Sequence, residues 1–147
     1  MKTYLLILLV ISLAMAACTP QGTETPPASV SLIGNWKLIS FGPVDSQTPA
    51  LNDIEAGITF NSDSTMAGNS GCNGYGGNYT VEGNQITFSE IVSTLMLCDE
   101  PVMEQEEAVY QVLTDTATFQ IEGNTLTLTN NDRMLVFTAA GSYPSYP

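Results

Sequence analysis

The chain has 147 residues, a formal net charge of −12 and no histidine. An acidic surface of this kind repels phosphate backbones, so nucleic acids are excluded as partners. The lack of histidine removes the Ser–His and Cys–His nucleophile systems and most catalytic zinc sites. We therefore expect a protein that is not an enzyme and that holds neither a cofactor nor a metal.

The first eighteen residues have the pattern of an export signal. Lys2 supplies a positive charge, and the apolar run YLLILLVISLAMAA is too short for a membrane span. Cys18 follows two alanines and resembles the lipobox cysteine of bacterial lipoproteins, although Met15 stands where leucine is usual. The pattern predicts a signal peptide at 1–17 and an exported protein anchored to the cell envelope by lipid on Cys18. The anchoring membrane is the outer one if the organism has one, and the alternative is an ordinary signal peptide cleaved near Cys18.

The rest of the chain divides into a tether, one domain and a tail. Residues 18–32 are rich in Pro, Ser and Thr without apolar periodicity, which predicts a flexible tether. We expect a single domain at 33–139, a length typical of one folded unit. Residues 140–147 end in Pro and Tyr and predict a loose tail.

Most of the domain has strand and turn patterns. NWKLISF (35–41) alternates, which places Trp36, Leu38 and Ser40 on one face. GITFNSDSTMAG (57–68) predicts strand, turn and strand, and the five glycines in residues 68–77 predict a loop. Residues 78–89 and 118–129 share Glu-Gly-Asn between alternating segments, and each predicts a hairpin. A third hairpin is expected with its turn at residues 130–132.

PVMEQEEAVYQVLTD (101–115) predicts the single helix, at about 101–114. Its apolar arc contains Val102, Met103, Val109, Tyr110 and Leu113. Glu106 falls in the middle of this arc, and a carboxylate that points into a core needs donors or a charge partner. We expect Glu106 to be structural, either accepting backbone N–H groups of the glycine-rich segment or meeting Lys37.

Cys72 and Cys98 remain as an even pair if Cys18 carries lipid. Export places them in an oxidising compartment, where pairing is the default, so we expect a disulfide between them. A reactive thiol pair is the alternative, but the spacing is not that of CxxC and no basic residue flanks either cysteine.

Three segments together resemble the META domain, the HslJ-like family of bacterial envelope proteins. They are GNWKLIS, GNSGCNGYGGNYTVEGNQITF and STLMLCDEPVMEQEEAVYQVL. The resemblance implies an α+β fold, mainly an antiparallel β half-barrel or pseudobarrel of six to eight strands with one α-helix. It also implies a link to heat stress or antibiotic tolerance in some members, without an established activity. Leu95 departs from the family pattern, where arginine is expected in many relatives.

The candidate site residues come from these segments. Asn73 follows the first paired cysteine, Thr94 and Met96 precede the second, and Glu106 lies on the helix. The aromatic candidates are Trp36, Tyr75 and Tyr79.

Two hypotheses of ion binding, one for phosphate and one for calcium, have little support in the sequence. The glycine-rich segment lacks GK[ST], GxGxxG and a nearby basic residue, which makes a phosphate cradle unsupported. The acidic segments DEPVMEQEE, NSDS and NNDR lack the spacing of a calcium loop. Helix termini and hairpin turns account for them.

The function that we expect is a non-enzymatic binding or stabilising module of the envelope. Its partners would be the membrane, through the lipid, and an envelope protein or an apolar small molecule. One alternative is a carrier of an apolar ligand, with a pocket inside the curled sheet. Its lining would come from Trp36, Tyr75, Tyr79, Ile91, Leu95, Met96, Leu97 and Met103. Another alternative is an acid–base hydrolase that pairs Glu106 with Glu82, Glu90 or Glu122.

Overall fold

The computed structural model describes residues 31–141. The predicted signal peptide, Cys18, most of the tether and residues 142–147 of the tail lie outside the described residues. Nine strands and one helix follow in chain order: β1 Gly34–Pro43, β2 Thr48–Pro49, β3 Gly57–Phe60, β4 Thr65–Asn69, β5 Gly74–Glu82, β6 Gln85–Ser93, α1 Glu100–Leu113, β7 Thr116–Glu122, β8 Thr125–Asn130 and β9 Arg133–Ala139.

The strands form a closed antiparallel barrel. Each strand from β3 to β8 pairs with the strand that follows it in the chain. β1 pairs with both β3 and β9, which joins the two ends of the sheet. The two-residue β2 adds to the side of β1 and is the strand that the sequence did not indicate. The predicted α+β fold, a mainly antiparallel barrel with one helix, is confirmed, and the closure by β1 and β9 completes the half-barrel.

The three predicted hairpins are confirmed, and their turns lie where the sequence placed them. Gly83 and Gly123 occupy the turns of the two Glu-Gly-Asn hairpins at φ of 63° and 56°. This left-handed conformation favours glycine. Asn131 takes the equivalent place between β8 and β9 at φ of 53°.

The prediction of a loop throughout residues 68–77 is wrong at both ends of that segment. β4 continues to Asn69 and β5 begins at Gly74, so only residues 70–73 connect the two strands. Gly68 pairs with Tyr75, and a Cβ on Gly68 would lie 2.5 Å from the Tyr75 ring. Glycine at position 68 therefore leaves room for the Tyr75 ring, which extends from β5 across β4.

A bulge in β1 changes which side chain points inward. The register with β9 shifts between Leu38 and Ser40, so Phe41 is buried where unbroken alternation predicted Ser40. One extra residue in a strand reverses the alternation beyond it.

The barrel interior is filled by the inward side chains of every long strand. Phe60 packs edge-on against Tyr79, with ring centroids 5.0 Å apart, and also lies near Phe88. Aliphatic residues such as Ile86, Leu126 and Leu135 are fully buried in the same cluster. The interior is thus filled where the carrier alternative places a ligand pocket inside the curled sheet.

Helix α1 covers one end of the barrel, which we name the capped end. This end contains residues 70–73, the turn at 131–132 and the start of β7. The opposite end, the hairpin end, contains the turns at 83–84 and 123–124 and the start of β1. The helix buries Ala108, Val109, Val112 and Leu113 toward the barrel.

Candidate functional site

The 70–73 connection and helix α1 meet through the side chain of Glu106, which is 8% exposed. One carboxylate oxygen accepts hydrogen bonds from the Ser70 hydroxyl and from the Asn73 backbone N–H, the latter at 3.0 Å. The other oxygen accepts the Asn73 side-chain amide at 2.9 Å. Hydrogen bonds to a charged acceptor are stronger than neutral ones, so this contact fixes the connection to the helix.

Asn73 extends the same network to the segment between β6 and α1. Its side-chain oxygen accepts from the Thr94 hydroxyl and from the Met96 N–H, both at 2.7 Å. Its amide nitrogen also donates to the Met96 carbonyl at 3.1 Å. The buried Asn73 side chain therefore makes the hydrogen bonds to the Met96 backbone that a neighbouring strand would make in a sheet.

The same segment is held a second time by a disulfide. Cys72 and Cys98 are joined with an S–S distance of 2.04 Å, as the sequence predicted. Cys72 directly precedes Asn73, and Cys98 directly precedes Asp99, the residue before helix α1. Residues 94–97 are thus tied covalently at one end and by hydrogen bonds along their length.

Gln105 adds a contact that the sequence analysis missed. Its amide donates to the Ser70 carbonyl at 2.8 Å and accepts the Leu51 N–H at 3.0 Å. Gln105 and Ser70 are both fully buried. The available signal was that Gln105 lies one helical turn before Val109 of the apolar arc, but its polar side chain was not expected to be buried.

The sequence predicted that Glu106 binds either the glycine-rich segment or Lys37, and these contacts show that it binds the glycine-rich segment. The donors come from the 70–73 connection, whereas Lys37 lies on β1 and forms no ion pair with Glu106 among residues 31–141. The structure brings no predicted carboxylate partner to Glu106. Glu82 and Glu122 end β5 and β7 at the hairpin end, and Glu90 accepts a hydrogen bond from Asn78.

The three aromatic candidates lie in the core rather than around Glu106. The Trp36 indole donates to the Leu32 carbonyl at 2.8 Å, and the Tyr79 hydroxyl donates to the Asn61 carbonyl at 2.7 Å. Tyr75 is nearest to the network in the chain, and its hydroxyl donates to the Gly57 carbonyl at 3.1 Å.

Burial raises the pKa of Tyr75 above its ordinary value, and the neighbouring Tyr110 adds to the effect. Burial also raises the pKa of Tyr79, with a further contribution from the charge of Asp63. Both phenols therefore stay protonated, as donors to backbone carbonyls, at neutral pH.

The residues that the network holds present an apolar surface to solvent. We name residues 94–97 the apolar loop. Leu95 is 94% exposed and Leu97 is 93% exposed, while Met96 between them is 57% exposed. The alternative in which these side chains line a pocket inside the sheet is wrong for both leucines. Their backbone is fixed outside the barrel by Asn73 and by the disulfide.

The described residues contain neither a cluster of metal-binding side chains nor a membrane-spanning helix. Within residues 31–141, no group of three His, Cys, Asp or Glu side chains is placed to hold a metal ion. The same part of the chain contains no helix that is long and apolar enough to cross a membrane.

Solved structures share this architecture at low sequence identity. An NMR structure of a protein from Burkholderia xenovorans is 22% identical, with a TM-score of 0.62, over 74% of this chain and 83% of that one. A crystal structure of a DUF4847 family protein from Bacteroides vulgatus is 16% identical, with a TM-score of 0.52, over 75% of this chain and 94% of that one. At this level of identity the likeness shows the fold alone. None of the curated proteins compared with the chain matches it.

A closed antiparallel barrel with one helix across its end defines the protein as a small helix-capped β-barrel domain. The family model of the META domain matches residues 30–142. The chain therefore belongs to the META domain family, as the resemblance of its segments implied.

Proposed function

We propose that the protein is a non-enzymatic module of the cell envelope that binds a partner through the apolar loop. The observation that carries this proposal is the exposure of Leu95 and Leu97 in a segment held by both a buried polar network and a disulfide. Exposed apolar patches of this kind commonly mark interaction sites. The position of Leu95, where relatives are expected to have arginine, makes the surface more apolar in this chain.

Burial energetics support a binding role for the loop. Moving a leucine side chain fully out of water contributes about 1.5–3 kcal/mol, so two leucines supply a useful share of a binding free energy. The loop is already fixed by Asn73, and a fixed loop loses little conformational freedom on binding. The fold therefore presents these side chains in a form suited to recognition.

The filled barrel and the occupied carboxylate support this proposal over its two alternatives. A carrier needs an internal cavity, whereas the core is packed with aromatic and aliphatic side chains. A hydrolase needs a carboxylate that is free to exchange a proton with its substrate, whereas both Glu106 oxygens accept hydrogen bonds from Ser70 or Asn73. A role in heat stress or antibiotic tolerance, which the family suggests, belongs to this proposal as its biological setting.

Crosslinking in the intact envelope tests the binding surface. A photoreactive amino acid at Leu97 is expected to give a discrete crosslinked product, because Leu97 lies on the proposed surface. Val81 is the matched control, since it is also exposed and apolar but lies near the hairpin end. The Leu97 product should disappear when Leu95→Ser is added.

Equal products at Leu97 and Val81, or none at either position, would contradict a binding role for the apolar loop. A Leu97 product that survives Leu95→Ser would show that the contact does not depend on the apolar surface. Circular dichroism of each variant establishes that the barrel remains folded.

The proposal includes a lipid anchor at Cys18. β1 begins at the hairpin end, so the chain enters the barrel opposite the apolar loop. An anchor on that side leaves the loop free to meet a partner away from the bilayer. This arrangement favours a protein over the membrane itself as the partner of the loop.

Fractionation of cells tests the anchor. The protein is expected in the membrane fraction and to release into the soluble fraction on Cys18→Ser, because the acylated side chain is then missing. Val81→Ser is a control that leaves both the lipobox and the disulfide unchanged, because Val81 is exposed on β5. A Cys18→Ser variant that has lost residues 1–17, as judged by its mass, and still stays in the membrane fraction would rule out the lipid as the anchor.

A further inference from the structure

A shallow depression beside the apolar loop has a floor made of glycine. Gly74 and Gly76 of β5 face outward there, because Tyr75 between them points into the barrel. Val92 of β6 pairs with Gly76 and forms a wall. The depression has a volume of about 430 Å³ and continues to Thr94, where the apolar loop begins.

Contacts within the barrel leave room for a side chain at either glycine, and the bulge where the register of β5 with β6 shifts lies just beyond Gly76. Neither Gly74 nor Gly76 has a positive φ. A Cβ on Gly74 would lie 3.9 Å from the Gly68 carbonyl oxygen, and a Cβ on Gly76 would lie 3.4 Å from that of Met66. Both distances are ordinary van der Waals contacts. Glycine weakens a strand interior, and where the fold has no use for it, it often marks the close approach of another molecule.

The depression and the apolar loop form one continuous surface. Val92, which is 69% exposed, lines the depression together with Thr94, the first residue of the apolar loop. An apolar side chain placed over Gly74 and Gly76 would therefore contact Val92 and reach Thr94, which directly precedes Leu95.

The charges around this surface are negative. Glu90 precedes Val92 on β6, and Asp99 and Glu100 follow the apolar loop; all three side chains are exposed. The basic residues of the described chain lie elsewhere, with Lys37 on β1 and Arg133 beside Asp132 at 3.9 Å. A partner that complements this rim carries positive charge near its apolar side chain.

We propose that the glycine depression takes a bulky apolar side chain from a protein segment in which Lys or Arg flanks that side chain. The segment lies against Leu95 and Leu97, and its cations meet Glu90, Asp99 and Glu100. This inference rests on the proposed binding role of the apolar loop and adds the chemistry of the partner.

Charge disfavours the two other occupants of an apolar surface. A second copy of the chain would bring a further net charge of −12 against the same acidic rim. Anionic lipid headgroups would be repelled in the same way. A basic, apolar segment of another protein removes this repulsion and replaces it with attraction.

Selection from short random peptides displayed on phage tests the inference, with the lipidated chain in a mild detergent as the target. Peptides selected by the unchanged protein are expected to be enriched in an apolar residue flanked by Lys or Arg. A fluorescein-labelled peptide of the most enriched sequence should bind about tenfold more weakly to Gly76→Ala and to Leu95→Ser. Its binding should also weaken as salt rises from about 50 mM to about 500 mM.

Gly141→Ala is the matched control, because this glycine lies beyond β9 and nothing approaches its Cβ position. It should leave peptide binding unchanged. Gly76→Ala should not lower the free energy of unfolding, which separates loss of the depression from loss of the fold.

Each other outcome overturns the inference in a distinguishable way. Peptides that need Leu95 but bind Gly76→Ala equally, or that lack basic residues, would overturn the partner chemistry and leave the binding role standing. Peptides that are indifferent to Leu95 would overturn both. If the chain forms a dimer that Leu95→Ser dissociates, the occupant is a second copy of the chain and the inference is wrong. If the chain binds phosphatidylcholine vesicles in a way that depends on Leu95, the occupant is a membrane and the inference is equally wrong.

Discussion

Replacing Glu106 with alanine is expected to lower the free energy of unfolding by about 4 kcal/mol. The substitution removes the acceptor shared by the Ser70 hydroxyl, the Asn73 backbone N–H and the Asn73 side-chain amide. The first two donors keep weaker contacts with the Asn73 carbonyl and the Ser70 hydroxyl, whereas one N–H of the Asn73 amide loses its acceptor. A buried donor that loses its partner costs about 1–3 kcal/mol, and the loss of two further charge-assisted hydrogen bonds adds to that cost. Urea unfolding with Trp36 fluorescence measures the change through the midpoint and slope of the transition.

Two related substitutions separate the carboxylate from its surroundings. Glu106→Gln keeps the shape and one acceptor oxygen, so a loss of about 1–2 kcal/mol is expected. Glu107→Ala makes the same chemical change one residue further along the helix, where the side chain is exposed, and should stay within about 0.5 kcal/mol. Equal stability of Glu106→Ala and Glu107→Ala would show that Glu106 does not hold the fold together.

Local signals in the sequence predicted the hairpins and the helix. Gly83 and Gly123 are followed by asparagine between alternating segments, and this chemistry specifies a tight turn without help from the rest of the chain. The burial of Glu106 also followed from a local pattern, since its position on the helix arc is fixed by 3.6-residue periodicity.

Contacts between distant segments set the features that the sequence did not reveal. The pairing of β1 with β9 closes the barrel across most of the chain, and the bulge that buries Phe41 depends on that pairing. Gln105 is buried because Leu51 and Ser70 offer it partners from two other connections. Side-chain periodicity contains no information on such partners.

Residue type alone predicted that the leucines of the apolar loop line a pocket, whereas both are exposed to solvent. Leucine is a typical core residue, and nearby Ile91 is partly buried against the core. The exposure of both leucines arises because Asn73 binds the Met96 backbone and Cys98 is bonded to Cys72. Those constraints hold the loop where the barrel does not cover it.

Loss of the disulfide is the second large effect that we expect. Cys72→Ala with Cys98→Ala should lower the free energy of unfolding by about 3.5 kcal/mol, because the bond restricts the unfolded chain across its sequence separation of 26 residues. Urea unfolding with and without a reducing agent measures this loss. The reducing agent should destabilise the unchanged protein and leave the double variant unaffected. A loss below about 1 kcal/mol would show that Asn73 and Glu106 hold the segment without the bond.

Combining the disulfide variant with Glu106→Gln tests where the bond acts. If the bond stabilises only by restricting the unfolded chain, its loss and the loss of the carboxylate should add. The two sites nevertheless share Asn73, which follows Cys72 directly and binds Glu106. A coupling above about 0.5 kcal/mol would therefore mean that the bond also positions Asn73 in the folded state. In that case reduction of the disulfide would release the apolar loop, and binding through Leu95 and Leu97 would weaken with it.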